Sequence, residues 1–187
     1  MGRWEPNARG RLQEAAMSLY NERGYEQTTV AEIAKRAGLT ERTFFRHFAD
    51  KREVLFYGAA ALQEHLLRAL DDASESQPPI ERVGVAFQAV TALLQDRTYA
   101  RVRQRIIAAN PELREREQIK LSSLAAAAAG ALAKRGVKDS AANLAAEMGV
   151  AVFRVAFERW LTETDERPLS EVFRESFEEL KAVSAGK

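Results

Sequence analysis

The stretch from Thr28 to Lys51, TTVAEIAKRAGLTERTFFRHFADK, restricts the fold more than any other part of the chain. Thr29 with Glu32 three residues on has the spacing of a capping box. In such a box the hydroxyl takes an orphan backbone N–H and the carboxylate reaches back to the cap's own N–H. Val30, Ile33, Ala34 and Ala37 then form an apolar stripe at helical spacing. Gly38 stands where such a helix stops, because glycine enters the left-handed region without a Cβ clash. Thr40 can cap a second helix, with Phe44, Phe45 and Phe48 on its inner side. Asp50 and Glu53 repeat the box spacing and predict the start of a third. Two short helices joined by a tight glycine turn are the pattern whose second helix enters the DNA major groove.

The rest of the chain reads as helix as well. A support helix over Arg9–Arg23 carries Leu12, Ala15, Ala16, Leu19 and Tyr20 on one face, and a loose arm containing Pro6 precedes it. Residues 51–72 continue helically for about 30 Å and are expected to link the amino-terminal helices to the later ones. After the break ASESQPP come helices near Ile80–Gln95, Thr98–Ala109, Pro111–Arg135, Ser140–Thr162 and Pro168 onward. The expected class is therefore all-α, with about nine helices. An amino-terminal three-helix helix-turn-helix domain over 1–50 is followed by a carboxy-terminal helical bundle over 51–187.

Charge and composition narrow the chemistry. The chain of 187 residues has 28 Lys+Arg against 27 Asp+Glu, so no bulk positive field attracts nucleic acid. Residues 1–56 hold ten of the basic and eight of the acidic side chains, so any DNA binding must rest on placement. With no cysteine, disulfides, thiolate catalysis and thiolate metal sites are excluded. The two histidines, His47 and His65, have no metal-ligand spacing, and no phosphate loop or nucleophile elbow is present. No catalytic residue, metal or cofactor is expected. Neither a signal-peptide core nor a run of about 18 apolar residues is read in the sequence, so a cytoplasmic location without membrane contact is expected.

Gly24–Tyr25, Thr28–Thr29–Val30, Ile33–Ala34, Ala37–Gly38–Leu39–Thr40, Thr43–Phe44–Phe45 and Phe48 through Lys51 together resemble the amino-terminal domain of TetR-type (tetracycline-repressor-like) transcriptional regulators. The resemblance covers about residues 9–56, and beyond it only the layout of helices is similar. It implies a homodimer that binds a near-palindromic double-stranded operator and leaves it when a small apolar effector binds. It implies that Thr29 and Thr40, at helix starts, bond phosphates through hydroxyl and backbone N–H. Arg42, Thr43 and Phe44 would meet base edges, with Arg46, His47 and Lys51 toward the phosphates. The family's commoner residue at the position of Phe45 is tyrosine, whose hydroxyl touches phosphate. Phe45 lacks that hydroxyl, and Arg46 is the expected substitute. The run RVRQRIIAANPELRERE and the FFRHF segment resemble an actinobacterial-style branch, which implies acyl-thioester-like effectors.

Bundles hold ligands between helices, in apolar cavities with few polar anchors. Phe87, Val90, Leu94, Leu121, Leu124, Phe153 and Phe157 are the candidate lining, with Arg101, Arg105 and Asn110 as candidate anchors. The helix from Ser140 is apolar most of the way round, so it must be covered on two sides. Leu144, Met148, Val152, Val155 and Arg159, with Phe173 and Phe177 of the last helix, are the expected dimer contact. Ala145, Ala146 and Gly149 would let a partner approach closely. A helical protein-interaction module that does not read DNA is the alternative, favoured by the near-neutral charge and by the missing phenol at Phe45. An activator would use the same DNA contacts as a repressor.

Overall fold

Every helix needs a start that takes up its first N–H groups and a stop that takes up its last carbonyls. In the computed structural model, which describes residues 7–186, the sequence signals for both mostly coincide with the observed ends. The described helices are α1 (Ala8–Arg23), α2 (Val30–Arg36), α3 (Glu41–His47), α4 (Ala59–Asp72), α5 (Pro79–Thr91), α6 (Arg97–Ala109), α7 (Pro111–Lys134), α8 (Asp139–Thr162) and α9 (Leu169–Ser184). No strand occurs among the described residues. The expected arm, including Pro6, falls outside the described residues as far as residue 6. Asn7 caps α1 by accepting the Gly10 N–H at 3.0 Å.

The chain packs as two compact units: residues through Gly58 with Thr98–Glu117, and Ala59–Arg97 with the chain from Gln118 onward. The core of the first is built from Leu12, Leu19, Ile33, Phe44 and Leu55, joined by Ile107 and Leu113. A three-helix head of some fifty residues buries little surface of its own. Each added aliphatic side chain contributes about 1.5–3 kcal/mol when fully buried, so the α6 and α7 residues are a substantial part of this unit's core. Polar contacts add to it. Gln13 donates to the Tyr99 hydroxyl at 2.7 Å, Arg103 Nε to the Leu55 carbonyl at 2.8 Å, and Arg116 Nε to Glu53 at 2.7 Å.

The expected helix over 51–72 begins regularly only at Ala59. Residues 51–58 form tight turns, with Leu55, Phe56 and Tyr57 N–H groups donating three residues back. Val54, Leu55 and Phe56 are all buried, and three consecutive buried side chains do not fit one face of an α-helix. Gly58 at φ 97° then breaks the chain direction. The second capping box is half formed. Asp50 accepts from the Arg52 and Glu53 N–H groups, but the Glu53 carboxylate is taken by Arg116.

In the second unit α5 packs against α4, α8 and α9. Aromatic rings run through it in a row: Phe177, Phe173, Phe87, Phe153, Phe157 and Trp160, each centroid about 6 Å from the next, a spacing suited to ring contact. Phe87 and Val90 are fully buried, while Leu94, Leu121, Leu124, Phe153 and Phe157 are half-buried. Arg105 is exposed and belongs to the first unit. Asn110, between α6 and α7, donates its side-chain amide to the Ile106 carbonyl of α6 at 2.6 Å.

The expected dimer face also divides. Leu144 and Val155 are 66% and 47% exposed, Ala151 is exposed and Met148 half-buried, one stripe along α8. Val152, Phe173 and Phe177 are buried in the unit's own core, so they do not face a partner. Arg159 is held by Ser176 and Glu179 of α9. The small residues serve α5 rather than a partner: a Cβ on Gly149 would lie 2.3 Å from Val83 Cγ1 and 2.8 Å from Phe87 Cε2. By length and composition α8 could cross a membrane, contrary to the sequence reading. Its Ala145–Ala146–Gly149–Val152–Ala156–Trp160 side is nonetheless buried among the other helices of the bundle.

Gly149→Val will overpack the α5–α8 contact. It is expected to destabilise the chain by about 1–3 kcal/mol in urea unfolding followed by circular dichroism, without loss of helix content in buffer.

Candidate nucleic-acid interface

The α2–turn–α3 segment is positioned by caps that can be read bond by bond. The Glu32 N–H donates to the Thr29 hydroxyl at 3.3 Å, while the Thr29 N–H and hydroxyl both donate to Glu32 Oε2 at 2.9 Å. These bonds, backbone first, hold the Glu32 carboxyl below its ordinary range. At the other end the Leu39 N–H donates to the Ala34 carbonyl at 2.8 Å and the Gly38 N–H to that of Lys35 at 3.0 Å. This is the Schellman stop, and Gly38 at φ 66° supplies its left-handed residue. Thr40 then caps α3, accepting the Thr43 N–H at 3.2 Å, and its hydroxyl lies 3.1 Å from that of Thr43.

α1 braces this segment. Arg11 Nη2 donates to the Ala37 carbonyl, and a Cβ on Gly38 would sit 2.7 Å from that nitrogen. Gly38 therefore serves the turn and the approaching guanidinium together. Arg11 is thus a helix-end donor. Arg36 holds Glu22 through two 2.9 Å bonds, which bring the Glu22 carboxyl down to about 2. Both partners are well exposed, so the pair adds little stability.

The outward surface of α3 consists of exposed Arg42, Phe45 and Arg46, with Thr43 half-buried. Phe44 is fully buried and packs on Phe48 at 5.5 Å, so it cannot meet a base edge. Phe45, expected on the inner side, is 56% exposed. Along a seven-residue helix at 100° per residue, Phe44 and Phe48 share one face and the intervening Phe45 turns away.

Lys51 is likewise reassigned. Its ammonium donates to the carbonyls of Tyr25 at 2.9 Å, Thr28 at 3.1 Å and Glu26 at 3.4 Å, and lies 4.3 Å from the Tyr25 ring centroid. Those contacts use all three of its protons on the loop before α2. Thr29 is in the same position, since both its donors serve Glu32. His47 is half-buried, and its Nε2 is enclosed with no hydrogen-bond partner among the described residues. Burial first, then the charges of Arg46 and Arg9, hold its imidazole below the ordinary value of 6.5. Both causes favour the neutral ring in the chain by itself. Tyr57, which nothing in the sequence pattern singles out, is 46% exposed, with the Arg9 guanidinium 5.3 Å over its ring.

Known proteins share both the sequence pattern and the helix layout. Residues 12–57 match the sequence profile of "Bacterial regulatory proteins, tetR family", and residues 77–185 match that of the "MftR C-terminal domain". The chain belongs to the TetR family. Among curated relatives, the HTH-type transcriptional regulator TcmR of Streptomyces glaucescens is 39% identical over 88 residues, which is 47% of this chain and 39% of the relative. The HTH-type transcriptional repressor KstR2 of Mycobacterium tuberculosis is 34% identical over 82 residues, 43% of this chain and 41% of the relative. The matched stretch thus spans about two-fifths of the length of these curated relatives. The fold is shared with the TetR family repressor FadR of Thermus thermophilus in complex with lauroyl-CoA. That structure has TM-score 0.56 and 24% identity, over 94% of this chain and 92% of the other. It is shared also with the SmeT–triclosan complex at TM-score 0.66 and 19% identity, over 94% and 90%.

The depressed native pKa of His47 has a defined sign. As pH falls through 6.5 the unfolded chain takes up a proton on this ring before the folded chain does, so folding stability declines. The decline ends once pH has passed the lower native value. Urea midpoints measured between pH 7.5 and 5 should fall with acidity, and His47→Gln should flatten that dependence.

Proposed function

We propose that this TetR family member is a ligand-responsive, DNA-binding transcriptional regulator: a cytoplasmic homodimeric repressor, not an enzyme, that leaves a near-palindromic operator when a small effector binds. The observation that carries this is the braced and doubly capped α2–α3 pair, which turns Arg42, Phe45 and Arg46 outward from one short helix. Residues 1–50 serve as the DNA-binding domain and 51–187 as the sensing and dimerising domain. Arg42 reads a base, with guanine the best match to its two-pronged donor set. Arg46, Thr43 and the Thr40 end of α3 position the helix against phosphate.

The exposed Leu144–Met148–Ala151–Val155 stripe supports a second copy of the chain as partner, since an apolar row of this length is otherwise left in water. A two-fold dimer presents two copies of α3, which suits half-sites about one helical turn apart or somewhat more. For the effector, two proteins of the same fold hold lauroyl-CoA and triclosan. Phe153 and Phe157, half-buried beside the fully buried Phe87 and Val90, are the surface we assign to a small apolar or acyl-thioester effector. Release requires that the effector favour one dimer spacing energetically over another.

Titration of DNA flanking the chain's own gene in a mobility-shift assay should give a specific complex that weakens steeply with salt. Absence of such a complex on every fragment overturns the reading. Lys51→Met supplies an internal control. Loss of its three carbonyl contacts should cost about 1–3 kcal/mol of stability, yet leave the slope of log affinity against log salt unchanged. A phosphate-binding lysine would lower that slope by about one.

A further inference from the structure

Phe45 stands at the centre of the outward face of α3, between Arg42 three residues before it and Arg46 one after. Single exposed apolar side chains are ordinary on protein surfaces, so its 56% exposure alone carries nothing. Its support and its chemistry do. The ring meets Phe44 edge-on, centroids 5.5 Å apart at 84°, and Phe44 is itself fully buried against Phe48. The ring of Phe45 therefore projects from a packed aromatic base. It has no atom that can donate or accept a hydrogen bond, so it cannot bond a phosphate or a polar base edge. In the major groove the natural bases offer one apolar group, the C5-methyl of thymine.

We infer that Phe45 is a specificity-determining residue that packs on the C5-methyl of one thymine in each operator half-site. With a rise of about 1.5 Å per residue, Phe45 lies about 4.5 Å along α3 from Arg42. Base pairs are stacked about 3.4 Å apart, so this thymine falls one or two base pairs from the base that Arg42 reads. The methyl contact replaces polar positioning at this point of the helix with sequence reading. Neighbouring Thr43 contributes less, because it is half-buried with its hydroxyl against that of Thr40.

The inference rests on the DNA-binding reading above, and the test separates the two. The full-length chain is titrated against its footprinted operator at fixed salt, with each thymine of a half-site replaced in turn by deoxyuridine. That change keeps base pairing and removes only the methyl. One thymine per half-site should be sensitive, its replacement weakening binding about fourfold, as expected for loss of one buried methyl. Phe45→Ala should bind thymine and uracil operators alike, while Phe45→Leu should retain part of the preference. Melting curves check that both variants remain folded. If the protein binds its operator specifically and no thymine is sensitive, the inference is overturned and the DNA-binding reading stands. The same holds if the sensitivity persists undiminished in Phe45→Ala, which would place the methyl against another side chain. If no fragment is footprinted at all, both fall.

Discussion

Carbonyl groups left over at helix ends are the constraint on which much of this structure depends. Short connections provide few local donors for them, and arginines distant in sequence provide the rest. Arg11 from α1 closes α2 at Ala37. Arg135, past the end of α7, donates to the carbonyls of Leu70, Asp71 and Ala73 at the end of α4. Arg97 serves those of Glu163, Asp165 and Arg167 beyond α8, with its guanidinium 5.2 Å over Trp160. Arg103 serves Leu55 in the tight turns after α3. Guanidinium suits this work, because its planar fork reaches two or three carbonyls without losing its charge.

This use of arginine bears directly on how a chain of net charge +1 can contact DNA. Much of its basic inventory is turned inward onto backbone carbonyls or paired on the surface, as Arg36 is with Glu22. The outward side of α3 keeps a small set, Arg42 and Arg46 flanking Phe45. Lys51 belongs with the inward group, and it holds the loop before α2 as Arg11 holds the loop after it. α2 is therefore clamped at both ends by side chains from outside it. Seven-residue helices are too short to be stable alone, and such clamps let them present side chains in a fixed geometry.

α8 shows how far a pattern in sequence can be taken. Its two apolar faces are plain in the sequence, and both exist. Which face meets its own chain is a matter of where α5 lies, and Gly149 against Val83 and Phe87 decides it. Val152 falls inward with that face, leaving Leu144, Met148, Ala151 and Val155 as the outer stripe. The same holds in the last helix: Phe173 and Phe177 continue a row of rings that crosses three helices, which no periodicity along one helix can reveal.

By itself the sequence determined the helices and most of their ends, the start of α4 excepted, because caps, glycine stops and prolines act within a few residues of where they stand. Thr29, Gly38, Thr40 and the Pro79 start all sit where local chemistry puts them. It also located the helix pair that carries the outward surface. Tertiary structure alone decided which way each side chain is used. Phe44 and Phe45 are adjacent and identical, yet one is core and the other surface, because the α1 and α2 residues that cover α3 lie on only one side. Lys51 and His47 look like phosphate ligands by position, yet distant backbone carbonyls made Lys51 a loop tether, and burial holds the His47 imidazole below its ordinary pKa. Local signals fix the ends of helices; partners remote in the chain fix the work of their side chains.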